Sequence, residues 1–107
     1  MSDDKTRDEV LQILRNELPY LRERYGVVRM AVYGSYAKNI QGKGSDIDIL
    51  VQLSKPLGLD FIRLAYYLEE TLGREVDLNT FDGLRRSAEN SRRAHIARDI
   101  ERTLIHV

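Results

Sequence analysis

The chain carries Gly34-Ser35-Tyr36-Ala37-Lys38-Asn39-Ile40-Gln41-Gly42-Lys43-Gly44-Ser45-Asp46-Ile47-Asp48 between two apolar runs. Residues 27–33 and 47–53 have the length and the branched apolar content that are typical of buried strands. The segment between them is rich in glycine, serine and lysine, which are common in turns and at phosphate-binding sites. The pattern therefore predicts a strand, a polar connection and a second strand over residues 46–54.

Asp46 and Asp48 lie at the start of the second predicted strand, with one residue between them. Because side chains alternate along a strand, their two carboxylates point to the same side. The two charges repel each other, and each carboxylate loses hydration near the edge of a core. A divalent cation would offset both effects, and oxygen ligands of this kind suit Mg²⁺. The spacing thus predicts a magnesium site at this pair.

A third carboxylate, Asp77, lies in a short strand predicted over residues 75–80. Val76 and Leu78 mark one face of that strand, so Asp77 lies on the other face. If this strand pairs beside residues 46–54, Asp77 joins the first two aspartates. Three carboxylates around one or two metal ions suit in-line phosphoryl or nucleotidyl transfer. The third metal ligand is therefore predicted at Asp77, conditional on the order of the strands.

Gly34 and Ser35 offer the other half of such a site. A strand followed by Gly-Ser and a short helical turn over residues 36–38 exposes backbone N–H groups and a hydroxyl to an anion. A helix cap uses the same geometry, so a purely structural role for Ser35 stays open. Lys38 is weighed equally as a phosphate contact and as a surface charge, and Lys43 is interpreted as a surface charge more than as a contact.

The residues before the first strand predict a long amphipathic helix. Asp3, Asp4 and Thr6 are N-cap candidates, and Gly26 is the expected stop. Pro19 removes one backbone hydrogen bond, so we expect it to kink the helix or to split it near residue 18. The apolar stripe is formed by residues spaced three and four apart, namely Leu11, Leu14, Leu18, Leu21 and Tyr25.

A second apolar stripe predicts a helix over residues 59–72 that ends at Gly73. A helix between two strands makes them a parallel crossover pair in one sheet. Leu50 indicates that the sheet is covered on both faces away from the site. After residue 80, Phe81-Asp82-Gly83 is predicted to form a turn, and the arginine-rich residues 84–107 are predicted to end in an amphipathic helix.

Length and composition limit the possible classes of protein. The 107 residues predict a single domain, 1–107, of α/β (α+β) class with a small mixed sheet and flanking helices. Seventeen basic and seventeen acidic residues cancel, which argues against direct nucleic-acid binding. The absence of cysteine excludes disulfides and thiolate metal sites. The polar N-terminus and the lack of an apolar run of about 20 residues predict a cytoplasmic protein.

The combination of Gly34-Ser35, Asp46-x-Asp48 and the later Asp77 resembles the nucleotidyltransferase fold of the DNA polymerase β superfamily. Within that superfamily the chain is similar to the minimal nucleotidyltransferases (MNT), whose genes commonly lie beside one for a HEPN-domain protein. The resemblance covers residues 27–80, and the flanking helices agree with it. Two positions differ from the usual family pattern: Lys38 stands where arginine is more common, and Asn39 stands where glycine is more common.

The resemblance implies a Mg²⁺-dependent enzyme that moves AMP from ATP to a hydroxyl group, with two metal ions and pyrophosphate as the leaving group. It implies metal-binding and catalytic roles for Asp46, Asp48 and Asp77. The implied nucleotide or phosphate contacts are Gly34, Ser35, Lys38 and Ser45. It further implies an antitoxin that neutralises a HEPN RNase toxin by AMPylation, commonly on a tyrosine hydroxyl, within a hetero-oligomer.

Three functions are carried forward. About 27 residues follow residue 80, too few for an acceptor-binding domain, so the acceptor site is expected from another chain or from a second copy in a homo-oligomer. The first function is the protein adenylyltransferase described above. The second is an antitoxin or binding module that neutralises its partner by contact, although the intact carboxylate set argues against it. The third is nucleotidyl transfer to a small molecule, which the missing acceptor domain disfavours.

Overall fold

A computed structural model describes residues 5–42, 44–90, 92 and 94–107. The elements in chain order are α1 (Arg7–Tyr25), β1 (Val27–Tyr33), α2 (Gly34–Ala37), β2 (Ile47–Leu53), α3 (Leu59–Leu72), β3 (Val76–Thr80), α4 (Phe81–Ala88), α5 (Ala94–Thr103) and β4 (Ile105–His106). The cap candidates Asp3 and Asp4, the loop residue Lys43 and Arg93 of the arginine-rich segment lie outside the described residues. Across the described part of the chain, every helix is too short or too polar to cross a membrane.

One mixed sheet in the order β3-β2-β1-β4 organises the molecule. β1 runs antiparallel to β2 and to β4, whereas β2 and β3 are parallel. The parallel pair is joined through α3, as the strand–helix–strand pattern predicts. The predicted α+β class with a small mixed sheet is confirmed. The predicted neighbouring position of the strand that carries Asp77 is confirmed as well.

The main core lies on the face of the sheet that α1 and α3 cover. Both helices bury the leucine stripes that the spacing predicts, since Leu14, Leu21, Leu64 and Leu68 are fully buried. A smaller cluster of Ala31, Leu50 and Phe81 lies in a second core, with Leu84, Ile100 and Leu104 packed against it. Leu50 thus belongs to a second covered face, in agreement with the sequence prediction.

Thr6 is the N-cap of α1 and forms a complete capping box with Glu9. Gly26 ends the helix in the left-handed conformation that its role as C-cap requires. Of the two outcomes predicted for Pro19, the split near residue 18 is wrong, because α1 is one helix of 19 residues with Pro19 inside it, and the kink stays a prediction. Burial of leucine side chains on both sides of the proline offsets the single hydrogen bond that it removes.

The turn predicted at Phe81-Asp82-Gly83 is also wrong, because α4 begins at Phe81, directly after β3. The Thr80 hydroxyl accepts the Gly83 N–H at 2.9 Å and so caps the helix. Phe81 is then free to bury its ring against the second face of the sheet. The two-residue strand β4, which the sequence analysis did not predict, follows the predicted final helix.

Candidate active site

Gly34 and Asp48 meet where β1 ends and β2 begins. The preceding residue, Tyr33, pairs with Asp48 across the two antiparallel strands. Gly34 has a φ of +71°, and a Cβ added to it would lie 2.2 Å from Asp48 Oδ2. Only a glycine therefore allows the backbone to approach this carboxylate so closely. The structure brings Gly34 of the Gly-Ser turn against Asp48, one member of the predicted carboxylate pair.

Asp77 lies directly beside Asp48, because the two residues are register partners in the parallel β2–β3 pair. Asp46 is next to the start of β2 and is exposed, as is Asp77, whereas Asp48 is half-buried. Burial, followed by the negative charges of Asp77 and Asp46, raises the pKa of Asp48 to about 6. The three carboxylates therefore interact electrostatically around Asp48.

This donor set fits a magnesium ion in its chemistry. All three groups offer hard oxygen ligands, and their mutual repulsion is the penalty that a cation removes. In the described ranges, no three His, Asp or Glu side chains already converge closely enough to hold a metal ion. The metal assignment therefore stays a prediction.

A hydrogen-bonded pair that the sequence analysis missed lies beside Asp77. Asn79 Nδ2 donates to the Tyr33 hydroxyl oxygen at 2.9 Å and to Asp77 Oδ1 at 3.3 Å. Burial raises the pKa of Tyr33 to about 12, and the nearby charges of Asp77 and Asp48 add to the shift. The Tyr33 hydroxyl is therefore protonated throughout the physiological range. The only signal in the sequence was the position of Asn79, two residues from Asp77 on one face of a strand.

An open cleft of about 480 Å³ begins at this pair and runs between the sheet and the helices α4 and α5. Tyr33 and Asn79 line it together with Leu50 of β2. Its helical walls come mainly from Leu84, Ile96, Ala97 and Ile100. The arrangement places an apolar cavity next to the carboxylates, with polar groups at their common border. Sequence reasoning could not find this cleft because its walls come from five separate elements.

Two predicted phosphate contacts have protein partners in the structure. Lys38 Nζ lies 2.7 Å from Asp99 Oδ2, so its ammonium group pairs with α5. The Ser45 hydroxyl accepts the Gly42 N–H at 2.9 Å and closes the loop before β2. Ser35 lies in the first turn of α2, where backbone N–H groups have no partner within the helix. Phosphate binding by these residues stays a prediction, and for Lys38 it requires exchange of Asp99 for the ligand.

Arg74 is a further cation that the sequence analysis did not single out. It donates from Nη2 to the Ser45 carbonyl at 3.3 Å, so it braces the segment that leads into Asp46. Together with Asp46, Gly44 and Glu75 it lines a polar cleft of about 330 Å³. Nothing in the local pattern around Arg74 distinguished it from the other arginines of this chain.

Comparison with known sequences defines the class of protein to which this fold and site belong. A family model of the nucleotidyltransferase domain matches residues 14–105, which include all the predicted site residues. The chain belongs to this nucleotidyltransferase family. It is therefore an enzyme of the nucleotidyl-transfer class, and the resemblance noted in the sequence is confirmed.

Its similar relatives are small proteins of nearly the same length. The protein adenylyltransferase MntA of Thermococcus cleftensis is 37% identical over 103 residues, which cover 95% of this chain and 96% of the relative. MJ1217 of Methanocaldococcus jannaschii is 38% identical over 104 residues, which cover 96% of this chain and 99% of the relative. The likeness thus extends over the whole fold rather than over a short motif.

Solved structures agree with this placement. A structure described as a minimal nucleotidyltransferase superposes with a TM-score of 0.68 at 30% identity and covers 98% of this chain and 95% of that one. A toxin–antitoxin structure with AMP-PNP has a TM-score of 0.52 at 28% identity and covers 76% of this chain. This chain spans 59% of that second protein. The first comparison confirms the minimal fold.

Proposed function

We propose that this chain is a Mg²⁺-dependent protein adenylyltransferase that moves AMP from ATP to a hydroxyl group of a HEPN-family toxin and thereby neutralises it. The observation that carries the proposal is the in-register pair of Asp48 and Asp77, with Gly34 packed against Asp48. The likeness to MntA supports protein as the acceptor class. The likeness to a toxin–antitoxin structure with AMP-PNP supports both the nucleotide and the partner.

The residues of the site divide into two groups. Gly34 and Ser35 present backbone N–H groups to the outer phosphates of ATP. Asp46, Asp48 and Asp77 would hold one or two magnesium ions, which supply charge stabilisation to the triphosphate during transfer. Asp77, on the edge strand β3, also accepts the proton of the attacking hydroxyl. That hydroxyl forms the new bond to the α-phosphorus as the bond to pyrophosphate breaks.

The partner chain supplies the acceptor in this proposal. All described strands belong to one sheet, and the described helices pack against it. The described residues therefore contain no separate acceptor-binding unit. The cleft beside Asp77 is open to solvent and adjoins the carboxylates, so a side chain of a docked partner has a path to the site. The open cleft beside Asp77 supports the proposal of transfer in trans.

The test is the intact mass of a HEPN-family partner co-expressed with this chain and incubated with ATP and Mg²⁺. We expect a mass increase of one or more adenylyl groups on the partner, with none after Asp46→Asn or Asp48→Asn. Asp82→Asn is the matched control, because Asp82 is an exposed carboxylate on α4 that faces Arg85 rather than the site. A tight complex without any mass change would contradict catalysis and favour neutralisation by contact.

A further inference from the structure

The side chain of Asn79 connects Tyr33 of β1 with Asp77 of β3, the two strands that flank β2. It lies on β3 and its register partner is Leu50 of β2, whereas Tyr33 lies on β1. The amide nitrogen has two hydrogens, and they go to the Tyr33 hydroxyl oxygen at 2.9 Å and to Asp77 Oδ1 at 3.3 Å. The side chain of Asp77 is therefore linked through one amide to a half-buried tyrosine on the strand two places away.

Stability gives little reason for this arrangement. Asparagine is depleted in strands, where β-branched and aromatic residues pack better. Asn79 and Asp77 are both exposed, and hydrogen bonds in contact with water add little to the free energy of folding. The bond from Asn79 restricts rotation of the Asp77 carboxylate, which is exposed on an edge strand.

We propose that Asn79 and Tyr33 are positioning residues that hold the Asp77 carboxylate in the orientation needed for metal binding and proton acceptance. The inference rests on the proposed function, because it assigns Asp77 to the reacting centre. Asn79 occupies one oxygen of Asp77 and leaves the second for the metal ion or the acceptor hydroxyl. Tyr33 acts one step further out, because its hydroxyl fixes the amide plane of Asn79.

The location of the pair explains why rotation matters at Asp77 in particular. Asp48 is held by burial and by the close approach of the Gly34 backbone. Asp77 is exposed, and the hydrogen bond from Asn79 is the contact that fixes its orientation in this proposal. An outer hydrogen bond to a ligating carboxylate typically changes metal affinity by about 10- to 100-fold. At 3.3 Å the bond is long, so we expect the lower end of that range.

The test compares Asn79→Leu and Tyr33→Phe with the wild-type chain in complex with its partner. Asn79→Leu removes the amide at nearly constant volume, and Tyr33→Phe removes only the hydroxyl. Gln52→Met is the matched control, because Gln52 is an exposed amide on the same face of β2 that accepts from Arg29 Nε at 2.8 Å, away from the carboxylates. Thermal unfolding of each variant shows whether the fold is retained.

We expect Asn79→Leu to lower kcat for AMP transfer about tenfold and Tyr33→Phe about threefold, with KM for ATP changed less than about twofold. The double variant should lose no more than Asn79→Leu alone, because both changes break one chain of contacts. Gln52→Met should match the wild type. Equal kcat values in all variants, or an equal loss in Gln52→Met, would overturn the positioning role.

A second readout separates this inference from the proposed function. Mn²⁺ binding to the isolated chain with AMP-PNP, followed by electron paramagnetic resonance, needs neither acceptor nor turnover. We expect Asn79→Leu to weaken Mn²⁺ binding about tenfold. If the wild type transfers no AMP but this weakening is seen, the positioning role stands and the acceptor proposal fails. Unchanged Mn²⁺ affinity in Asn79→Leu, or no Mn²⁺ binding by the wild type, counts against the inference itself.

Discussion

Gly34 is the residue on which the geometry of the site depends most directly. Its positive φ is a conformation that side chains with a Cβ rarely adopt, and its Cα faces the Asp48 carboxylate. These two constraints have different consequences. The backbone constraint acts on stability, whereas the close approach acts on the position of Asp48 and hence on activity.

Gly34→Ala should lower the free energy of unfolding by about 1–2 kcal/mol, the usual cost of a left-handed conformation with a Cβ. Because the new Cβ would also displace Asp48 Oδ2, we expect AMP transfer to fall at least about 100-fold. Urea unfolding and single-turnover transfer measure the two effects. Gly73→Ala is the control, since Gly73 has nearly the same φ of +70° and its nearest side-chain atom is 3.6 Å away. Equal activity of the two variants would contradict a special role for Gly34.

The raised pKa of Asp48 predicts how the stability of the metal-free chain, kept in EDTA, depends on pH. Its folded-state pKa is raised to about 6 from an ordinary value of 3.8, so the stability present below pH 3.8 is lost as the pH rises through 6. Allowing for solvent screening of this half-exposed group, Asp48→Asn should stabilise the chain by about 1 kcal/mol at pH 7 and hardly at pH 4. Urea unfolding at both pH values measures this, and an equal gain at both would rule out the charge explanation.

At the level of elements, the Lys38–Asp99 ion pair ties the end of α2 to α5. Lys38 also lowers the pKa of Asp99 through its hydrogen bond and charge. The side chains are 39% and 41% exposed, so water screens the pair and it adds little to the stability of the fold. The pair matters for function because Asp99 would compete with a phosphate group for the Lys38 ammonium.

If Lys38 contacts phosphate, Asp99→Asn should free it and lower KM for ATP about threefold, the scale of one screened ion pair. Lys38→Met should raise KM for ATP by a similar factor, and it should do so in the Asp99→Asn background too. Steady-state kinetics with the partner in excess measures both. Should Lys38→Met leave KM unchanged, Lys38 is a structural cation and its phosphate role is wrong.

At the level of the whole molecule, the order β3-β2-β1-β4 decides which side chains meet. The parallel crossover through α3 brings Asp77 into register with Asp48, and the antiparallel turn brings Gly34 to the same carboxylate. Helices α1 and α3 cover one face of the sheet, whereas α4 and α5 leave a cleft on the other. Asp48 and Asp77 therefore lie next to the face of the sheet that carries this cleft.

Much of this architecture could be predicted because it depends on local patterns. Leucine spacing identified α1 and α3, and the helix 59–72 was predicted to the residue. Elsewhere local signals misled. Gly83 was interpreted as part of a turn, but its N–H donates to the Thr80 hydroxyl, which caps a helix. Phe81, at the start of that helix, is buried in the second core. Local sequence rules for glycine do not take this burial into account. The strand β4 is only two residues long, too short for a periodic signal.

By itself, the sequence determined the class of fold, the Gly34-Ser35 and Asp46-x-Asp48 elements and the family, because these features lie in continuous segments with their own periodicity. The tertiary structure alone decided that Asn79 links Tyr33 to Asp77, that Lys38 pairs with Asp99 and that an apolar cleft adjoins the carboxylates. The Tyr33–Asn79 and Lys38–Asp99 contacts join residues 46 and 61 positions apart, so they depend on strand order and helix packing. Side chains brought together by such packing leave no period or spacing in the chain.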